Sequence, residues 1–398
     1  MSQLMSHDLA VDWTLDERAR QHFVTGMRQY VLSDLSTFMK DGYDKRVKPE
    51  FEAENGRPPA AGPEVHRLMR KQNMFRFYSA MRNNAQGLVW RSVLPGIERE
   101  IETLVERAKA LGEPSPEAKG TLTLDPDFQV PDTITKLDVH HMPGCYHSEY
   151  VDDDVSMGAL YEHGLCVFFM GFLGQDNDDV GRSVAEFLKI RFPDFAPKKM
   201  LDIGCTVGGN TLPWLEVYPE LELHGIDPCA PVLRYAHGRA QSLGKSVHFH
   251  QMSGEDLKFP DESFDIVWSA QVLHEMPRAM VDNTLRECYR VLRPGGLMLH
   301  MELPPNKLVD AYEQFYVDWD AYYNKEPWYK QFRDSDLEEV VASAGFKPEN
   351  YVQFVVPSLV NSNREVLFGA ARKGGTSVEG NVGKLEAGVQ WFTFGAWK

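Results

Sequence analysis

The residues best placed to do chemistry are two acidic strand tips and the loops around them. Lys198-Lys-Met-Leu-Asp-Ile-Gly-Cys-Thr-Val-Gly-Gly-Asn-Thr211 carries an apolar strand into Asp202, then glycines at 204, 208 and 209, then a helix start. Glycines there let the backbone approach a ligand at the carboxyl end of a strand, where open α/β sheets bind. A pyrophosphate seat would need GxGxxG, which this segment lacks. It has instead an acid before its first glycine, suited to a ligand with a cationic amino group. Further on, Leu221-Glu-Leu-His-Gly-Ile-Asp227 reads as a second strand with a carboxylate at its tip. Such a carboxylate accepts hydrogen bonds from both hydroxyls of a ribose.

Two groups of residues could move a proton. His274-Glu275 follows the strand that ends near Ser269-Ala-Gln271. A histidine or carboxylate there could act as general base, and packing or positioning is the competing role. Upstream, Asp138-Val-His-His-Met-Pro-Gly-Cys-Tyr-His147 gathers His140, His141, Cys145 and His147. Adjacent histidines on a strand point to opposite faces, and closed metal sites draw ligands from separated places. A covering loop is therefore the simpler reading, with no metal assigned. A metal held by one of these histidines with His274 or Glu275 is the alternative.

Four segments in order resemble the class I S-adenosylmethionine-dependent methyltransferases, particularly the ubiquinone and menaquinone branch. They are Leu-Asp-Ile-Gly-Cys205, Gly-Ile-Asp227, Glu255-Asp-Leu-Lys-Phe-Pro-Asp-Glu-Ser-Phe-Asp-Ile-Val267 and Tyr289-Arg-Val-Leu-Arg-Pro-Gly-Gly296. The resemblance covers about 110 residues, from Lys198 to Pro304. It implies S-adenosylmethionine as cofactor, with Asp202 and Gly204 at its methionine end and Cys205, Thr206 and Gly208 continuing the loop. It implies Asp227 on the ribose, Ser253, Gly254 and Glu255 around the adenine, and Gln271 under the sulfonium. Pro143-Gly144 would turn Tyr146 and His147 over that sulfonium, making Tyr146 a cofactor contact and His147 an alternative base. The chain departs from the family at Thr206, usually glycine, and at Ser253, often aspartate. The activity implied is methyl transfer to a small molecule. A cofactor-binding protein without turnover is the rival of another class.

The elements that must hold these residues are also legible. From about 196 to 373 strands and helices alternate, the pattern of a parallel α/β sheet. We expect a Rossmann-like, doubly wound, mostly parallel seven-stranded sheet preceded by a helical domain at 1–118. Thr14-Leu-Asp-Glu17 fits a capping box, and Phe23, Met27, Val31, Leu35 and Phe38 recur at helical spacing as one apolar face. Asn55 to Pro63 is a breaker-rich loop. An aromatic and basic helix follows (Phe75, Tyr78, Arg76, Arg82), a substrate lid or plain core whose arginines suit an acidic group. A further helix carries Ile97, Ile101, Leu104, Val105, Ala108 and Leu111, and Gly112 to Pro116 ends it. Residues 119–195 read as linker and covering segment, with Thr121-Leu-Thr-Leu124 and Thr133 to Val139 extended and a helix from Val180 to Phe192. The aromatic stretch Asp310 to Trp328 walls a pocket or packs on the helical domain. The aromatic tail at 374–398 should dock on the body or on a second subunit, which leaves a homo-oligomer open.

Composition narrows the partners. With 42 basic and 58 acidic residues the net charge is −16, against the basic surface that nucleic acid requires. No apolar run reaches the roughly 18 residues a membrane span needs, and the N-terminus shows no secretory pattern. Five scattered cysteines without a CxxC pair fit reduced thiols in a cytoplasm. The expected acceptor is a small molecule, aromatic or acidic.

Overall fold

The computed structural model describes residues 7–113, 119–378, 382–383 and 388–398. An eight-stranded sheet forms its centre: β1 Gly120–Thr123, β2 Lys199–Ile203, β3 Glu222–Asp227, β4 Val247–Gln251, β5 Phe264–Ala270, β6 Leu292–Glu302, β7 Tyr351–Pro357 and β8 Gln390–Trp397. The order is β1-β4-β3-β2-β5-β6-β8-β7. Every pairing is parallel except those of β8, which runs antiparallel to both β6 and β7. Side chains alternate between faces along a strand. Accordingly Met200, Ile266 and Trp268 enter one buried cluster while Leu201, Ile203 and Val267 enter the other. Both faces are covered, which gives these strands their near-continuous apolar character.

Two strands come from segments outside the alternating pattern. β1 lies in the stretch read as linker and adds to the edge through β4, with Gly120 opposite Val247. It is the eighth strand beside the seven expected. β8 is the aromatic tail, docked on the body by threading between β6 and β7. Trp391, Phe392 and Phe394 are buried there. Gly395 passes so close to β6 that a Cβ would fall on the Met298 carbonyl oxygen.

The helical part begins with Leu15–Tyr30, whose Thr14 cap makes the expected box with Glu17. Only part of the face the apolar spacing suggests is buried. Val31 is buried, with Met27 and Leu35 packed beside it, but Phe23 is 69% exposed and Phe38 65%, whereas Val24, Arg28 and Met39 are buried. The neighbouring helices select the face by what they offer to pack against, and a π-turn at Val31–Leu35 shifts the phase partway. The two helical stretches expected downstream are one helix, Asn73–Gly112, continuous through Pro95. Its buried side (Val89, Trp90, Val93, Ile97, Leu104) packs on Ser156–Phe168 and Ala230–Ser242, and this outweighs the one hydrogen bond a proline forfeits. The helix ends at Gly112, where the expected stop begins, with Glu113 extended; residues 114–116 lie outside the described residues. The extended reading of Thr133 to Val139 is corrected: a helical turn, Asp132–Thr135, and a short 3₁₀ turn, Val139–His141, occupy it. Pro131 fixes the backbone just ahead of that first turn. No helix among the described residues is long and apolar enough to cross a membrane.

If β8 is integral to the sheet, Phe394→Ala should destabilise the protein by about 3–5 kcal/mol. The expected result is a clear fall in Tm by circular dichroism, while Phe23→Ala on the exposed face leaves it within error.

Candidate active site

The chain reverses direction across the sheet between β2 and β5, and ligands of open α/β sheets bind at such a switch. A cavity of about 520 Å³ opens there. Its floor is built from strand ends: Asp202 and Gly204 from β2, Asp227 from β3, Ser253 and Gly254 after β4, Gln271 after β5. The glycine loop is pinned across the gap, with the amides of Gly204 and Cys205 both donating to the Ile226 carbonyl. Gly204 has φ +70°, and a Cβ there would lie 2.7 Å from Val272, so glycine is required by conformation and by space.

Both acidic tips are buried. Asp202 accepts from the Thr211 hydroxyl at 2.5 Å. Asp227 accepts from the amides of Cys229 (3.0 Å) and Thr206 (3.2 Å). Burial dominates each and pushes both carboxyls up to about 7. Two acids held this way next to a cavity constitute a site built for positive charge and hydroxyl donors.

The next layer is organised by a residue that sequence reasoning missed. Glu302 ends β6, and its carboxylate accepts from the amides of Val272 (3.1 Å) and Leu273 (2.8 Å). Its other oxygen pairs with Nδ1 of His274. His274 also stacks on Tyr329, ring centroids 4.0 Å apart. Burial works against the imidazolium, but Glu302 outweighs it and holds the His274 pKa above the ordinary histidine value. The rule that singled out Asp202, an acid at a strand's carboxyl end, would have found Glu302 as well.

Glu275 is drawn into a second cluster. Its Oε1 accepts from His140 Nε2 (3.0 Å) and from the Tyr146 hydroxyl (3.3 Å). His140 bridges on to Glu326 through Nδ1 at 2.8 Å. Burial disfavours its charge, yet the two glutamates prevail and lift its pKa to about 10. The same histidine's carbonyl accepts from Gln86 (2.8 Å) and Trp90 (2.7 Å), tying the loop to the long helix. Among the described residues no group of three or more His, Cys, Asp and Glu side chains is arranged to hold a metal. His141 turns away to the Tyr323 carbonyl.

Of the residues singled out in the sequence, Asp202, Gly204, Cys205, Thr206, Asp227, Ser253, Gly254, Gln271, Tyr146, His274 and Glu275 border the cavity. Gly208 turns the loop behind it, with φ +77°. Glu255 points to Asn283 at 2.9 Å. His147 lies outside the lining, half-buried, and burial lowers its pKa. The helical region, through Arg28, Ser36 and Arg82, and the aromatic stretch, through Tyr312, Tyr316 and Asp320, add a second lobe to the same cavity. The aromatic stretch therefore does both things expected of it, lining the cavity and packing on the N-terminal helices. Arg76 does not reach the cavity; its Nε donates to the Arg70 carbonyl.

A family model described as "Methyltransferase domain" matches residues 201–300. Over these residues the chain is similar to methyltransferase domains. A demethylmenaquinone methyltransferase of Thermus thermophilus is 36% identical over 110 residues, covering 28% of this chain and 49% of the relative. A fatty-acid O-methyltransferase of Mycolicibacterium smegmatis is 30% identical over 125 residues, covering 31% and 44%. The chain thus spans about half the length, or less, of these curated relatives. Among solved structures, the Haemonchus contortus phosphoethanolamine N-methyltransferase 2 is 19% identical, with TM-score 0.39, covering 58% of this chain and 56% of that one. Outside residues 201–300, the methyltransferase domain is roofed by the helical region and by the loop around His140.

The His140 bridge has a pH signature. Its folded pKa is raised, so its contribution to stability is complete below the ordinary histidine pKa of about 6.5. It is lost as pH rises toward about 10. The Tm difference between wild type and His140→Gln should therefore be largest near pH 6 and shrink steadily through pH 9; a constant difference would contradict the bridge.

Proposed function

We propose that this protein transfers a methyl group from S-adenosylmethionine to a small-molecule acceptor and releases S-adenosylhomocysteine. The observation that carries the reading is the pair of buried carboxyls, Asp202 and Asp227, bordering one cavity beside a close-turning glycine loop. That donor set fits the cofactor. Asp202 is suited to its ammonium end and Asp227 to its ribose hydroxyls, while Ser253 and Gly254 flank the space for the base. The bound cofactor supplies a sulfonium methyl open to in-line attack.

The chain's own residues then align the acceptor, exclude water and manage a proton. His274 is the candidate base: Glu302 holds Nδ1, which fixes the tautomer and leaves Nε2 to take a proton from the attacking group. Glu275, Tyr146 and His140 form a linked wall that positions the covering loop. Aromatic side chains from Tyr312, Tyr316 and Phe168 line the rest of the cavity, which favours an acceptor with an apolar or aromatic body. All five cysteines are unpaired, in keeping with work in a reducing cytoplasm.

Incubating a small-molecule extract with the protein and methyl-labelled cofactor should yield a labelled product by mass spectrometry, and none at any extract concentration would refute the reading. In calorimetry, Asp227→Ala should abolish S-adenosylhomocysteine binding. His274→Gln should keep that binding and lose about 10²–10⁴-fold in kcat. Because the base must be deprotonated and its pKa is raised, the wild-type rate should climb with pH through a midpoint above about 6.5.

A further inference from the structure

We propose that the helical lobe of the cavity is a subsite for an anionic group of the acceptor, with Arg28 as its ligand. This rests on the methyl-transfer reading, since it asks the same cavity to hold the acceptor. Arg28 is 1% exposed and borders the cavity. Its Nε donates to the Phe168 carbonyl at 2.5 Å and its Nη1 to Gln86 Oε1 at 2.8 Å. The guanidinium also lies 4.1 Å from the centre of the Phe168 ring. All of these partners are neutral, and among the described residues no carboxylate forms an ion pair with Arg28. A guanidinium carries five N–H donors and does not give up its charge in proteins.

Asp320 favours the Arg28 cation through space but is itself paired with Arg82, through Nη2 at 3.0 Å and Nε at 2.8 Å, and makes no ion pair with Arg28. Arg82 also shares the Gln86 oxygen with Arg28. Lys40, on the rim, is paired with Asp44 at 2.6 Å, and Glu313 borders the lobe from the facing helix. Burial first, and then the Arg82 charge, work against the Arg28 cation and depress its pKa well below the ordinary value. Burying a charge without a counter-ion is unfavourable, and a carboxylate or phosphate arriving with the acceptor supplies one in the fork geometry that guanidinium favours. The same lobe offers Ser36 and Tyr316 hydroxyls. The π-turn Val31–Leu35 follows directly and presents Leu32 and Ser33 to the cavity. An acid on an aromatic or apolar body matches both the cation and the walls.

The test uses the full chain loaded with S-adenosylhomocysteine and titrated with benzoate, with its neutral ester methyl benzoate, and with inorganic phosphate. Benzoate should bind wild type and weaken by at least about tenfold in Arg28→Gln, a loss in the range of one charge-assisted hydrogen bond. Arg28→Lys, which keeps the charge, should lose less, and methyl benzoate should not distinguish the variants. Equal benzoate affinity in wild type and Arg28→Gln would overturn the proposal, as would a wild type that ignores benzoate. Phosphate binding through Arg28 with benzoate excluded would also overturn it, because the site would then serve a free inorganic ion. The affinity for S-adenosylhomocysteine, measured in the same runs, reports separately on the methyl-transfer reading. Its loss alongside Arg28-dependent benzoate binding would sink that reading and leave the anion site standing.

Discussion

Two carboxyl groups buried side by side at the ends of neighbouring parallel strands are the constraint around which this molecule is arranged. Asp202 and Asp227 lie where the sheet divides, and each is kept from water by the elements above it. Such groups persist only if the fold supplies donors and if the cavity awaits a ligand that balances them. The donors are local: a hydroxyl nine residues along for Asp202 and two backbone amides for Asp227. The remaining imbalance is what the proposed cation-bearing cofactor would meet.

The roof obeys the same rule with longer-range partners. Glu302, at the far strand end, gathers two amides and an imidazole, so one carboxylate sets both the course of the 271–275 loop and the tautomer of His274. His140 performs the corresponding task on the opposite wall, its ring spanning Glu275 and Glu326 while its carbonyl anchors to Trp90 and Gln86. Through these contacts the helical region becomes part of the site rather than an appendage to it. Gln86 is the joint between the two, since it touches the His140 loop through its amide and both buried arginines through its oxygen.

The methyltransferase domain was legible because its signals are local. An apolar run ending in an acid and glycines is a strand and a turn wherever it occurs, and Asp202, Gly204 and Asp227 followed from that grammar, whereas Gln271 came from the family resemblance. The helical region was harder. Large apolar residues at helical spacing pointed to Phe23 and Phe38 as core, but both face water, and Arg28 occupies the buried face instead. An arginine in that stripe contradicts the usual reading of periodicity, and only a cavity on its far side makes sense of it. The aromatic tail illustrates the same limit: its composition demanded burial, yet nothing in it specified insertion as an antiparallel strand between β6 and β7.

By itself, then, the chain's order of residues determined the α/β alternation, the acidic strand tips and glycine loop that carry the family resemblance, and a net charge that argues against a nucleic-acid partner. These depend on backbone geometry and charge within a few residues of each other. Only the tertiary structure decided that Glu302 would hold His274, that His140 would bridge two distant glutamates, and that Arg28 would reach the same cavity as Asp202. Those pairings join residues up to nearly two hundred positions apart. Which of many charged side chains meet is fixed by how helices pack and strands register, and no local pattern encodes that choice.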